Sequence, residues 1–503
     1  MSAMPGVAPP VATPPVEKTS IVIVGTGFAG LCMAIKLKQA GIHDFVMLER
    51  GDDVGGTWRD NHYPGAACDV PSNVYSFSFE PNPNWTRSFP TQPELFEYQR
   101  HCARKYGLLP HVRLNAEMVN SRYDEATSTW TVTTRDGRQF VGQVLVSGIG
   151  GLSNPAYPDI PGLDTFQGQA FHSATWDHTV DLRGKRVAVI GSGASAIQFV
   201  PQIAPKVAHL DYYQRTPPWV LPKPDRPMKN WERTMFRTLP ITQKLYRWFT
   251  YWLLELRVLG FTRYPAAMKL VENWGKRHIA KHVKDPELRR KLTPTYRAGC
   301  KRILMANDYY QAVARPNVEV ITDRVQAVRP HGIVAADGRE RPVDVIIFGT
   351  GFKVQEPAPV GAFIGKGGVD LGTLWMQTGG EAFRGTTVAG FPNLFMIVGP
   401  NTGLGHNSMI FMIESQVRYI MAAIQTMRRR KLASVDVKPQ AQADYNARIQ
   451  QMLGGTVWNT GGCKSWYLNA QGKNTTLWPT FTFRFRGELS RFDAGSYLLQ
   501  GQR

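Results

Sequence analysis

The chain is poor in cysteine, poor in acid and free of long apolar runs. Its 503 residues include five cysteines: Cys32, Cys68, Cys102, Cys300 and Cys463. They are scattered, no CxxC occurs, and no Cys/His spacing fits a metal. That speaks against a metal centre and against a disulfide reductase. The expectation is five reduced thiols in a cytoplasm-like compartment. The N-terminus, MSAMPGVAPPVATPPVEKTS, has neither a basic region nor an apolar core. Residues 1–18 therefore read as a Pro/Ala-rich disordered tail, not a signal peptide. The most apolar stretch, Phe249–Gly260, is too short to cross a bilayer and contains Glu255 and Arg257. No transmembrane helix is expected.

The shortage of acid leaves a formal net charge of +20, unevenly spread. Residues 222–302 hold 20 Lys/Arg against 6 Asp/Glu. Such a bias suits a membrane surface, a polyanion or a phosphate-bearing cofactor. No nucleic-acid motif accompanies it, so no nucleic-acid partner is expected. A chain of this length exceeds one core, and two or three packed units are expected.

Glycine is plentiful, and its placement is informative. TSIVIVGTGFAGLCMAIKLKQAG opens as a β-branched strand and continues as a helix, with Gly25-Thr26-Gly27-Phe28-Ala29-Gly30 between them. A second strand, FVMLER, ends at Glu49, 24 residues after Gly25. In a βαβ unit such glycines let the backbone approach a pyrophosphate, the helix N-terminus offers free N–H groups, and the acid accepts ribose hydroxyls. The unit recurs in GKRVAVIGSGASAIQFVPQIA, with Gly191-Ser192-Gly193-Ala194-Ser195-Ala196. Here the following strand ends in Arg215, again 24 residues on. An arginine there favours a 2′-phosphate, hence NADP(H) over NAD(H).

Each unit carries a β-meander with an Asp-Gly turn, WTVTTRDGRQFVGQVLVSGIG and GIVAADGRERPVDVIIFGTGF. The fold class expected is α/β: two Rossmann-like dinucleotide-binding domains with β-meanders plus a helical insertion. The FAD-binding domain is set at 19–152 and 355–503, the NADPH-binding domain at 153–221 and 297–354, and the insertion at 222–296. Within the insertion Leu245, Trp248, Phe249, Trp252, Leu253, Leu256 and Leu259 form one helical stripe. The first reading is a helix packed on the body of the protein; the second is a helix lying on a membrane.

Between the two glycine loops stands FQGQAFHSATWD. Phe166-x-Gly168-x-x-x-His172-x-x-x-Trp176-Asp177 resembles the fingerprint of type I Baeyer–Villiger monooxygenases, and GGTWRDNHYPGAACD, with Thr57, Trp58 and Asp69, resembles a second signature of that family. Related flavin-containing and N-hydroxylating enzymes share His-Ser at 172–173 but end the segment differently. The resemblance covers nearly the whole chain after the tail.

It implies an FAD- and NADPH-dependent enzyme, with no metal, that inserts one oxygen atom of O2 beside a ketone carbonyl by way of a C4a-peroxyflavin. It implies that Tyr75 and Met118 join the FAD set, and that Gln198, Thr216, Lys301, Arg302 and Trp466 join the NADP set. Lys301 and Arg302 lie in GCKRILMANDYY, and Trp466 lies in CKSWYLNAQGKNTTLWP. Arg302 is the implied catalytic arginine and Asp69 its partner; His172 belongs to a hinge. An S- or N-oxidising monooxygenase and a non-catalytic flavin-binding redox module are the alternatives. Peripheral membrane contact through 222–296 remains open, and the expected location is cytoplasmic.

Overall fold

Strand Val16–Val24 lies inside a mixed eight-stranded sheet. It pairs in parallel with Gln139–Ser147 on one side and with Phe45–Leu48 on the other. The computed structural model describes residues 16–356 and 358–502. Residues 1–15 of the expected tail lie outside that range, but Val16, Glu17 and Lys18 do not behave as tail. They pair with Gln139, Phe140 and Val141 because the partner strand extends that far.

The helix after the first glycine loop, Phe28–Gln39, buries Leu31, Met33, Ile35 and Leu37 completely. Burial of such a side chain contributes about 1.5–3 kcal/mol. The helix packs against the long helix Met409–Arg430. The meander strands Met118–Asp124, Thr129–Thr134 and Gln139–Ser147 run antiparallel, and Phe363–Ile364 and Leu394–Met396 join the same sheet from far along the chain.

The second sheet is wholly parallel. Its order is Val318–Ile321, His209–Tyr213, Arg186–Ile190, Val345–Phe348 and Gln169–His172. A separate three-stranded meander, Val325–Arg329, Gly332–Ala335 and Glu340–Pro342, stands beside it. The insertion is helical: Asn230–Thr238, Pro240–Glu255, Val258–Thr262, Met268–His282 and Pro286–Leu292.

Two expectations fail here. The stripe on Pro240–Glu255 and the residues after it does not pack on the body: Leu245, Trp248, Phe249, Leu253 and Leu256 are all more than half exposed. Periodicity defines a face but not the direction it points. The cysteines are not all reduced. Cys300 and Cys463 form a disulfide across 163 residues, with Cα atoms 6.1 Å apart, while Cys32, Cys68 and Cys102 are free and buried. Packing of Gly461 on the Arg297–Cys300 turn, where the Arg297 N–H donates to the Gly461 carbonyl at 3.0 Å, brings the two sulfurs together. Sequence spacing carries no trace of that contact. The compartment argument thus retains three thiols of five.

Candidate active site

Both glycine loops adopt backbone that other residues resist. Gly25 has φ +95°, and a Cβ there would lie 2.6 Å from the Gly148 carbonyl oxygen. Gly191 has φ +110°, and a Cβ would lie 2.3 Å from the Gly349 oxygen. In each unit the loop therefore nests against the turn that follows the adjacent parallel strand. The helices that follow, Phe28–Gln39 and Ala196–Ile203, start at Gly27 and Ser195 without a side-chain cap; in the second, Ile197 and Gln198 already donate to the Gly193 and Ser195 carbonyls, so only the N–H groups ahead of them are open to an anion.

Around the first loop the carboxylate of Glu49 is buried. It accepts from the Thr26 N–H at 3.1 Å and the Gly51 N–H at 2.9 Å, and pairs with Arg59 at 2.8 Å. A Cβ on Gly56, just before Thr57, would lie 3.1 Å from the Gly27 Cα. The two glycine motifs thus pack directly against each other, backbone on backbone. Thr57 opens a one-turn helix, and the Trp58 indole N–H donates to the Tyr75 hydroxyl at 3.2 Å. Tyr75 meets Phe28 edge-on, with centroids 5.5 Å apart. Ala29 and Gly30 sit buried in the helix's first turn, and Met118 packs half-buried on the core layer that contains Val24 and Leu48. A planar apolar ring with a pyrophosphate tail fits this combination of glycine backbone, uncapped helix N-terminus and aromatic wall.

Around the second loop Ser192 donates to the Thr216 carbonyl at 3.1 Å. Arg215 is exposed beside it, and Lys301 is half-buried. Burial, then the Arg215 charge, lowers the pKa of the Lys301 ammonium. Among the described residues no carboxylate pairs with either cation, and two neighbouring unpaired cations suit a dianionic phosphate. Gln198 faces the other way. It accepts from the Tyr63 hydroxyl at 2.9 Å and donates to the Ala67 carbonyl at 2.9 Å, clamping the YPGAAC segment. A Cβ on Gly193 would meet only the Gly349 oxygen, at 4.0 Å.

The units meet at Arg302. Its Nε donates to one oxygen of Asp69 at 2.8 Å and its Nη2 to the other at 2.9 Å, a bidentate pair between residues 233 apart in sequence. The Asp69 charge raises the pKa of the guanidinium further, so it stays charged at any working pH. The Leu404 carbonyl accepts from Nη1 at 3.4 Å. Tyr467 is buried nearby, its hydroxyl pushed up to about 12 by desolvation, and the adjoining Trp466 is 42% exposed.

The segment between the loops forms the edge strand Gln169–His172 of the second sheet. A Cβ on Gly168 would lie 2.3 Å from the Asp344 oxygen, and Phe166 packs half-buried alongside. His172 is fully buried; its Nδ1 accepts from the Ala174 N–H at 3.0 Å and its Nε2 has no partner. Desolvation holds its pKa down to about 4. Trp176 packs on Phe171 and Phe199, while Asp177 caps the turn at Thr179. Among the described residues one His/Asp/Glu cluster has ligand spacing, His209, Asp211 and Glu319, but Arg341 already pairs with Glu319 at 3.3 Å.

The profile of the flavin-binding monooxygenase-like family matches residues 18–360. A Baeyer-Villiger monooxygenase of Pseudomonas aeruginosa is 56% identical over 480 residues, covering 95% of this chain and 91% of that protein. The chain belongs to the Baeyer–Villiger group of the flavin-binding monooxygenase-like family. The crystal structure of cyclohexanone monooxygenase from Rhodococcus sp. Phi1 bound to NADP+ superposes with a TM-score of 0.87 at 27% identity, covering 97% of this chain and all of that one. That of OTEMO with FAD and NADP gives 0.85 at 27% identity, covering 96% and 99%. The chain is a flavin-dependent monooxygenase.

Several residues of this Baeyer–Villiger-group site escaped sequence reasoning. Lys223 donates to the Cys68 carbonyl at 3.0 Å, next to Asp69. His406 is buried in the Asn401–Asn407 loop, 3.6 Å from Glu255. His62 and His178 face each other across the units at 2.8 Å. The Gly/Asn-rich run GPNTGLGHN after an apolar strand was the available signal for the loop; the other two carry none.

Proposed function

We propose that this chain is an FAD- and NADPH-dependent Baeyer–Villiger monooxygenase that converts a ketone and O2 to an ester or lactone. Residues 19–152 and 355–503 form the FAD unit, 153–221 and 297–354 the NADPH unit, and 222–296 an insertion that adds peripheral membrane contact. The bidentate Asp69–Arg302 pair carries the reading, because it joins a permanent positive charge next to Lys301 to the GGTW…YPGAACD segment.

FAD would lie along Gly25–Gly30 with Glu49 at its ribose and Trp58, Tyr75 and Phe28 at its ring. NADPH would lie along Gly191–Ser195 with Arg215, Thr216 and Lys301 at its 2′-phosphate. When bound and reduced, the flavin supplies the activation of O2. Arg302 offers fixed N–H donors and charge to developing negative charge, at no reorganisation cost. Asp69 fixes the guanidinium plane. His172, neutral and packed against Tyr157 and Phe352 at the end of the edge strand, stabilises the joint between the units. The buried Tyr467 and the Leu404 carbonyl flank the pair. Supply of NADPH fits a cytoplasmic location.

A ketone panel run with FAD-loaded protein and NADPH tests the reading. Esters or lactones formed in step with NADPH consumption support it. Turnover of sulfides or amines alone, or no oxygenated product at all, overturns it.

A further inference from the structure

Helix Pro240–Glu255 is built inside out. Apart from the buried Leu254, the side chains it turns toward the protein are polar: Gln243, Arg247, Thr250, Tyr251 and Glu255. Gln243 donates to Asn73 Oδ1 and to the Asn82 carbonyl, both at 2.7 Å. Arg247 donates to the Asn73 and Ser76 carbonyls at 2.6 and 3.0 Å. Glu255 is 0% exposed and accepts from the Thr482 hydroxyl at 2.9 Å. Its outward face is apolar: Ile241 is 59% exposed, Leu245 59%, Trp248 62%, Phe249 55% and Leu253 51%. These positions fall on one side of a 3.6-residue period, opposite the polar set. Trp252 extends the patch to Phe483, 41% exposed, with ring centroids 5.8 Å apart. Contiguous exposed apolar surface of this kind marks a docking face.

The charge around the face selects the occupant. From residue 233 to residue 271 the only acid is Glu255, and it is buried. Arg237, Lys244, Arg257, Arg263 and Lys269 are all exposed over the same span. The surface is therefore aromatic, aliphatic and cationic, with no anion. A second copy of a chain carrying +20 would bring like charge to this face. An anionic lipid surface brings the opposite charge and takes Trp, Phe and Leu at headgroup depth. No helix among the described residues is long and apolar enough to cross a membrane, so the contact is peripheral.

We infer that Ile241–Leu253, with Trp252 and Phe483, docks on an anionic bilayer. The face is tied to the chemistry: Glu255 also pairs with His406, two residues from Leu404, whose carbonyl accepts from Arg302. On the ketone reading above, on which this last step rests, the docked enzyme draws lipid-soluble ketones from the bilayer.

The test uses the FAD-loaded enzyme and vesicles of phosphatidylglycerol with phosphatidylcholine. Wild type cosediments at low ionic strength, and added salt releases it. The double variant Trp248→Asp/Phe249→Asp loses binding by about tenfold or more, while its FAD content and its NADPH oxidation with a short, water-soluble substrate stay at wild-type level. Wild type remaining in the supernatant overturns the inference. So does a variant that sediments as well as wild type, or a concentration-dependent dimer that the variant abolishes without any vesicle binding. Sedimentation needs no turnover, so failure of the ketone panel leaves this result readable on its own.

Discussion

Removing Arg302 should separate flavin reduction from oxygen insertion. The guanidinium is held by two hydrogen bonds to Asp69, and the side chains are 31% and 25% exposed. At about 4 Å and an effective dielectric near 20, one unit charge contributes on the order of 4 kcal/mol to an opposite charge. Expressed in the transition state, that is roughly three decades in rate. Arg302→Ala should therefore bind FAD and oxidise NADPH within about tenfold of wild type, yet form ester about a thousandfold more slowly, with the oxygen recovered as hydrogen peroxide. The orphaned, partly exposed Asp69 should cost about 1–3 kcal/mol of stability, visible as a lower melting temperature of the FAD-loaded protein. Arg302→Lys keeps the charge but not the fork, and should fall between the two. Stopped-flow spectra follow flavin reduction while chromatography follows ester. Ester formation by Arg302→Ala within tenfold of wild type would refute the argument, because the charge would then come from another group.

Arg215→Ala and Lys301→Ala should each raise KM for NADPH about 10- to 100-fold through a lost charge-assisted contact of roughly 1.5–3 kcal/mol, with little change for NADH; equal losses with both nucleotides would remove the phosphate assignment. His172 is protonated in the folded state only near pH 4, against an ordinary value of 6.5. The unfolded chain takes the proton first as pH falls, so up to about 3 kcal/mol of stability should disappear between pH 6.5 and 4, and His172→Gln should flatten that part of the denaturation profile. Alkylation of denatured, unreduced protein should label Cys32, Cys68 and Cys102 only, and all five cysteines after reduction. Cys463→Ser should lower stability by up to about 5 kcal/mol on the chain-entropy estimate for so long a loop.

Much of the site was legible because its signals are local. A strand, a glycine loop, a helix and an acid or arginine 24 residues on are contiguous in sequence, and Gly25 and Gly191 both take the positive φ that the motif requires. The Asp-Gly turns sit at Gly137 and Gly338 as the meanders demand. What was not legible depends on distant partners. Val16 joins a strand because Gln139 is there to pair with it. The Trp/Leu stripe was read correctly as one face and wrongly as an inner one, since inwardness depends on Asn73, Ser76 and Thr482. The Cys300–Cys463 contact depends on the fold of everything between two residues 163 apart in sequence.

That disulfide acts as a short leash. Arg302 is two residues from one anchored end, and Trp466 is three residues from the other. Three extended residues reach at most about 10 Å. The loop that carries Trp466 therefore cannot drift away from the arginine that shares its anchor. If Trp466 meets the nucleotide as proposed, its entry and exit would be a bounded motion, with the distance from Arg302 to Trp466 capped by covalent chemistry.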